Sequence, residues 1–316
     1  MNIARDLLPH ASVIIPTKDR PRDLELTVST VLAQTVLPQE IIIVDQSSQD
    51  EPQRRVEAQF HHAPESVRNA VQLRYLRDQS ITGLAQARNR AMDLARGEVW
   101  VFLDDDVVLE DNFLEEMLVP YVENPKFTGV SGVITNYPPP ARWLQVWTRI
   151  FMRGPFRDER QPIYWNADRL RQSKPIAVSR FGGGLMSFRA EKVKGVRFDE
   201  NLRGVSEGED VDFCCRLPAG SRLVISARAR LAHMHSAAGR PQDHALRRMM
   251  VGPSYLYWKN WAHGMGNRMC FVWFNVGCGL LASLASVRRG SLAPWRALRA
   301  GIADARQVFQ RNAAAG

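Results

Sequence analysis

The chain has 316 residues, 45% of them hydrophobic and 24% charged. These values are close to ordinary globular usage and exclude disordered, collagen-like and disulfide-scaffold classes. The net charge of +9 lies wholly in the tail: residues 244–316 carry ten Lys and Arg against one acid, Asp304, and the first 243 residues balance to zero. Cys214, Cys215, Cys270 and Cys278 form no zinc-like pair of pairs, and adjacent Cys214 and Cys215 suit no structural disulfide, so a reducing compartment is expected. Residues 1–10 lack the uninterrupted apolar core of a secretory signal.

Residues 12–15 form an apolar run ended by Pro16 and a polar turn, which predicts a strand. Pro21 then sits at the start of a helix carrying Leu24, Val28, Val31 and Leu32 on one face. Residues 40–44 and 71–76 predict two further strands, 84–95 a second helix and 99–103 a fourth strand. Continuous apolar strands separated by helices imply an α/β fold, with a mainly parallel sheet covered by helices on both faces. Such sheets bind ligands beyond the carboxyl ends of their strands. The residues there are Pro16, Thr17, Lys18, Asp19 and Arg20, then Asp45, Gln46, Ser47 and Ser48, then Asp104, Asp105 and Asp106.

Three consecutive acids need a counter-charge. Side chains two apart in an extended segment point the same way, so Asp104 and Asp106 could share one Mg²⁺ or Mn²⁺, ions that prefer oxygen ligands and bridge them to phosphates. The competing structural reading makes residues 106–111 the acidic opening of the next helix. A second acidic cluster spans residues 206–212. There Ser206 and Glu209 fit a capping box, and Asp212 and Arg216 fit a helix-surface pair. Asp210 is left at the mouth of a helix, able to accept a proton from an incoming hydroxyl.

Residues 138–140 are three prolines, after which Trp143, Trp147, Ile150 and Phe151 recur at helical spacing. They form either a helix packed on the body or an acceptor-site flap, with Phe156, Tyr164 and Trp165 available for stacking. Residues 222–226 predict a strand followed by His233 and His235. In the tail, residues 269–287 are uncharged over 19 positions between Arg268 and Arg288, just long enough to span a bilayer. A polar or small stripe of Asn275, Gly279, Ser283 and Ser286 argues against spanning. So do the arginines that spanning would carry across. The tail is expected to lie on an anionic membrane surface, the alternative being a helical hairpin packed on the body or on a second subunit of a homodimer. Nucleic acid is not an expected partner, because no recognisable binding motif accompanies the charge. The expected division is a body, 1–243, and a basic helical tail, 244–316.

Together these segments resemble the inverting family 2 glycosyltransferases of the GT-A fold. Ser-Val-Ile-Ile-Pro-Thr-Lys-Asp-Arg (12–20) is similar to that family's first strand and nucleotide-contacting turn. Ile-Ile-Ile-Val-Asp-Gln-Ser-Ser (41–48) is similar to its second strand, where Asp45 would read the base; Gln46 stands where many members have a second Asp. Gly-Leu-Ala-Gln-Ala-Arg-Asn-Arg (83–90) matches the Gly…Ala-Arg-Asn segment, Phe-Leu-Asp-Asp-Asp (102–106) the DxD motif, Gly-Gly-Gly-Leu-Met-Ser-Phe-Arg (182–189) the donor-sugar segment, and Gly-Glu-Asp-Val-Asp-Phe (208–213) the catalytic-base motif.

The resemblance implies a nucleoside diphosphate sugar held by Pro16, Thr17, Asp19, Arg20, Asp45, Gly83, Arg88, Asp104 and Asp105. Gly183, Gly184, Glu209 and Trp143 would serve the donor sugar and acceptor. Asp106, Asp104 and His233 would bind Mn²⁺ or Mg²⁺, and Asp210 would act as catalytic base. The acceptor would be lipid-linked or a polysaccharide, with the protein cytoplasmic and peripheral on the inner face of the cell membrane. A nucleotidyltransferase is the enzymatic alternative, and a catalytically degenerate sugar-nucleotide-binding scaffold the other. Intact Asp106 and Asp210 argue against the scaffold.

Overall fold

The structure, a computed structural model, describes residues 4–202, 208–234 and 245–315. Ser206 of the expected capping box and His235 lie outside them. Among the described residues nine strands form one mixed sheet: β1 (Ala11–Thr17), β2 (Glu40–Asp45), β3 (Gln72–Arg77), β4 (Val99–Leu103), β5 (Val107–Leu109), β6 (Phe127–Ile134), β7 (Ile176–Val178), β8 (Leu185–Arg189) and β9 (Arg222–His233). Their order is β3-β2-β1-β4-β8-β6-β9-β5, with β7 paired to β9. The first four of the strands expected from the sequence are the parallel half, and the fifth, at 222–226, is the start of β9. The other half mixes directions: β8 runs antiparallel to β4 and β6, β6 and β9 are parallel, and β5 is antiparallel to β9.

Why the apolar runs are unbroken is plain from the two faces. Val13 and Ile15 of β1, Ile41 and Ile43 of β2 and Val101 of β4 pack on one side. There they meet α1 (Pro21–Leu32), α2 (Glu51–His62) and α5 (Phe113–Glu123). Ile14, Ile42, Val44 and Phe102 point the other way, onto α4 (Leu84–Leu94) and a group of phenylalanines. Successive side chains alternate between faces, so a strand covered on both must be apolar throughout. Phe198 and Phe213 stack at 4.4 Å within that group, an arrangement that adds about 0.5–1.5 kcal/mol beyond burial. Between α2 and β3 lies α3 (Glu65–Ala70).

The chain divides into two compact units. The first comprises Met1–Tyr137, Arg160–Glu200 and Phe213–Ala238, the second Pro138–Glu159, Asn201–Asp212 and Gly239–Gly316. The second unit therefore takes in more of the chain than the expected 244–316 tail. In the first unit, α7 (Gln161–Trp165) and α8 (Ala167–Leu170) precede β7, and α9 (Ala190–Val193) follows β8. Helix α10 (Glu209–Cys215) crosses the division in sequence.

The second unit is helical: α6 (Arg142–Phe151), α11 (Ala245–Leu256), a π-helical turn at Tyr257–Trp261, α12 (Met265–Arg289) and α13 (Ala293–Ala315). Residues 142–151 are thus a helix packed within this unit, where Trp147 donates through Nε1 to the Gly277 carbonyl at 3.1 Å. Phe156 stacks on Phe274 at 5.0 Å, and Tyr257 on Phe271 at 4.0 Å. The tail's single acid, Asp304 of α13, pairs with Arg247 of α11 at 2.5 Å. Helix α12 ends at Gly290, whose φ of +57° closes it in the left-handed conformation that glycine takes without steric cost.

Candidate functional site

The loops after the parallel strands are cross-tied. Gln46 N–H donates to the Thr17 carbonyl at 3.0 Å, and Asp19 N–H to Ser47 Oγ at 2.7 Å. Asp19 holds a φ of +54°, a conformation in which Asp is among the tolerated residues. The two Asp45 oxygens accept from Ser47 N–H at 2.8 Å and from the Tyr75 hydroxyl at 2.7 Å. Burial, and then the bond to Asp45, push the Tyr75 hydroxyl's pKa upward, so it remains a donor. Gln46 Oε1 accepts from Gly83 N–H at 2.8 Å. A carboxylate could accept that bond too, but the uncharged amide adds no second negative charge beside Asp45.

The acid triplet is split by direction, as its spacing predicts. Asp105 turns toward β1 and α1, accepting from Thr17 Oγ1 at 2.7 Å and from Arg20 Nη1 at 3.0 Å. Its pKa is pushed up to about 6: burial outweighs Thr17 and Arg20, and the Asp106 charge adds to the rise. Asp104 and Asp106 turn together toward His233, whose Nε2 lies 3.5 Å from Asp104 Oδ2 and 2.8 Å from Asp106 Oδ1. One ligand atom from each of the three falls within 4.8 Å of the others. Burial lowers the imidazole's pKa, but the bonds to Asp104 and Asp106 and their charge outweigh it and raise it to about 9. Its proton must therefore leave when a cation takes its place. Two carboxylate oxygens and an imidazole nitrogen are a donor set suited to Mn²⁺ or Mg²⁺.

The segment after the triplet brings His233 there. Residues 107–109 form a strand and not the opening of a helix. That strand pairs antiparallel with the end of β9, setting Val107 opposite His233. The expected strand at 222–226 continues to residue 233, which puts His233 inside the sheet rather than after it. Asn136 pins the backbone on both sides: its Oδ1 accepts from His233 N–H at 3.0 Å and its Nδ2 donates to the His233 carbonyl at 2.8 Å.

Arg88 sits beneath the site, fully buried. Its Nη2 donates to the Gly183 carbonyl at 2.5 Å and lies 3.6 Å from Asp104 Oδ1. It thus ties the Asp104 carboxylate and the glycine loop together. Gly184 touches the same carboxylate: a Cβ there would stand 2.5 Å from Asp104 Oδ2. Gly184→Ala is therefore expected to swing Asp104 aside and weaken Mn²⁺ binding about 10–100-fold, the usual effect of disturbing a ligand's supporting shell. Titration calorimetry would check this, and unchanged affinity would mean that Asp104 is not a ligand.

In the second unit, Asp210 stands in the first turn of α10, where its Oδ1 accepts from Val211 N–H at 2.8 Å. Glu209 is buried. Asp212 departs from the expected surface pair with Arg216. It is fully buried and takes Lys259 Nζ and Asn260 Nδ2, each at 3.0 Å, while Arg216, one residue past the helix end, donates to the Arg197 carbonyl. Trp143 is 60% exposed on α6.

Sequence reasoning missed Thr27 and Tyr75. The Thr27 hydroxyl accepts from Val107 N–H at 3.0 Å and lies 2.8 Å from the Asp105 carbonyl, holding the triplet's backbone to α1. A buried threonine on the apolar face of a helix, beside Leu24, Val28 and Val31, was the available signal. Tyr75 lay in a strand whose polar residues hid its direction.

A sequence model of glycosyl transferase family 2 matches residues 12–193. The glucosyl-dolichyl phosphate glucuronosyltransferase of Haloferax volcanii is 29% identical over 125 residues, 39% of this chain and only 37% of that relative's length. A mannosyltransferase from Pyrobaculum calidifontis, solved with GDP-Man and Mn²⁺, superposes with a TM-score of 0.60 at 16% identity, covering 98% of this chain and 90% of that one. GalNAc-T7, solved with UDP, GalNAc and Mn²⁺, gives a TM-score of 0.52 at 17% identity over 79% of this chain and 50% of that one. At such identities the likeness is one of fold, the GT-A arrangement of sheet and helices.

Proposed function

This chain belongs to glycosyl transferase family 2, and from that premise we propose that it transfers a sugar, with inversion, from a nucleoside diphosphate sugar to a lipid-linked or polysaccharide acceptor at the cytoplasmic face of a membrane. The observation that carries the reading is the convergence of Asp104, Asp106 and His233 at the carboxyl end of the central parallel strands. Asp104, Asp106 and His233 would hold Mn²⁺ or Mg²⁺, which when bound neutralises charge on a departing diphosphate. Thr17, Asp19, Asp45 and Gly83 rim the strand ends where a nucleotide would sit. Arg20 and Asp105 fix the first of these loops, and Arg88 holds Asp104 against the Gly183–Gly184 backbone that would meet the sugar.

Asp210 takes the proton of the acceptor hydroxyl as that oxygen bonds to the anomeric carbon. The bond from this carbon to the diphosphate oxygen breaks, and the nucleoside diphosphate leaves from the opposite face. One carboxylate suffices, because the leaving group requires charge neutralisation and not a proton. A glycosidase, by contrast, needs two carboxyl groups.

The test is a thermal-shift series with UDP, dTDP, GDP and CDP, each with and without Mn²⁺. One nucleotide at about a hundred times its Kd should stabilise the fold by roughly 2.7 kcal/mol, a shift of about 4 °C, only when the ion is present. The absence of a shift with all four would overturn the donor site.

A further inference from the structure

We infer that the second unit carries a docking surface for an anionic lipid bilayer, on which α12 lies in the plane of the headgroups. The inference rests on the membrane placement proposed above and gives it a face, a depth and a lipid charge.

Helix α12 is long and apolar enough to cross a bilayer by length and composition, yet its two sides differ. Phe274, Gly277, Cys278 and Ala282 are buried against the rest of the unit. Met265, Met269, Val272, Val276, Leu280, Leu284 and Val287, recurring every three or four residues, are 45–83% exposed. At 1.5 Å per residue this stripe runs for about 33 Å. It continues sideways onto α6. There the Trp273 indole donates to the Ile150 carbonyl at 2.8 Å, and Trp143, Val146 and Ile150 share the exposed side of that helix. On its other flank α12 meets α13 along an open apolar groove of about 650 Å³ whose walls include Trp258, Val276, Leu280 and Trp295, room for a hydrocarbon chain. An apolar surface this extended marks an interaction site.

The charges choose the occupant. Helix α6 exposes Arg142 and Arg149 beside its apolar residues, and α13 exposes Arg296, Arg299 and Arg306 at spacings of three and seven, one helical face. The tail's only acid is spent on Arg247. An apolar stripe flanked by arginines matches acyl chains beneath anionic phosphates. A second copy of the same surface would instead bring arginines against arginines. Spanning is excluded by the neighbours, because α6 and α13 pack along α12 and would carry their arginines into hydrocarbon.

The experiment uses the full chain with vesicles of phosphatidylcholine alone or mixed equally with phosphatidylglycerol. Sedimentation should show binding to the mixed vesicles at least about tenfold stronger than to the neutral ones, weakened by salt. Fluorescence should show tryptophan quenched by shallow but not by deep nitroxide lipids. The double substitution Val276→Glu and Leu280→Glu, and separately Arg296, Arg299 and Arg306 all to Gln, should each reduce binding at least about tenfold while the melting temperature and any Mn²⁺-dependent nucleotide shift stay unchanged.

Equal binding by wild type and both variants overturns the inference. Resistance of the bound protein to alkaline carbonate would establish a span and overturn the in-plane placement. Absence of vesicle binding, with a dimer in sedimentation equilibrium that the glutamate variant dissociates, would give the face to a second copy and overturn it as well. The nucleotide shift reads the transferase proposal separately: vesicle binding without any such shift would leave the docking surface standing and remove the donor site.

Discussion

Substituting Asp106 with alanine is expected to lower transfer by about 10³-fold and to make nucleotide binding insensitive to Mn²⁺. Charge neutralisation by a catalytic ion is worth several kcal/mol, and each 1.36 kcal/mol is tenfold in rate. Asp106 is the centre of the cluster: it is almost fully buried, 2.8 Å from His233 and 3.5 Å from Arg20. Removing its charge leaves Arg20 paired with Asp105 and His233 beside Asp104, so each cation keeps an acidic neighbour while the proposed ion site loses a ligand. Calorimetric titration of nucleotide with and without Mn²⁺ checks this. A variant that retains the wild-type response to the ion would place the ligand set elsewhere.

Asp210→Asn should give the opposite split. Transfer should fall by about 10³-fold, the usual contribution of a general base, while donor affinity and its dependence on the ion change less than about twofold. Asparagine keeps the size of the side chain and can still accept from Val211 N–H, so α10 should retain its first turn. Single-turnover kinetics beside donor binding separates the effects. Equal loss of both would take Asp210 out of the base role and make it a donor ligand.

Some of this was legible in the sequence and some was not, for physical reasons that differ by residue. Strands β1, β2 and β4 are buried on both faces, which leaves unmistakable apolar runs, whereas β3 at the sheet edge is half-buried and keeps polar residues among its apolar ones. Asp104 and Asp106 could be paired because an extended chain has period two. Of the mixed half of the sheet only the start of β9 was legible; β5 and β7, at three residues each, are too short to leave a pattern. His233 was readable only through family resemblance, because a strand register set by residues 107–109 brings it to the acids. Asp212 misled for a related reason: helical spacing predicts a neighbour four residues on, but Lys259 and Asn260, distant in sequence, claim the carboxylate. The segment 142–151 could be read as helix but not assigned a role, because what it packs against, Gly277 and Phe274, belongs to another helix.

Arg88 joins two things that are usually described apart. Through one guanidinium nitrogen it touches both the Gly183 carbonyl and Asp104, so a displacement of the glycine loop reaches the carboxylate without crossing any flexible element. Thermodynamic linkage then sets a reciprocal rule. Whatever factor a sugar resting on that loop adds to the affinity for the cation, the cation adds to the affinity for the sugar. For any one pair of sugar and cation held this way, occupancy of either site would be read at the other through Arg88.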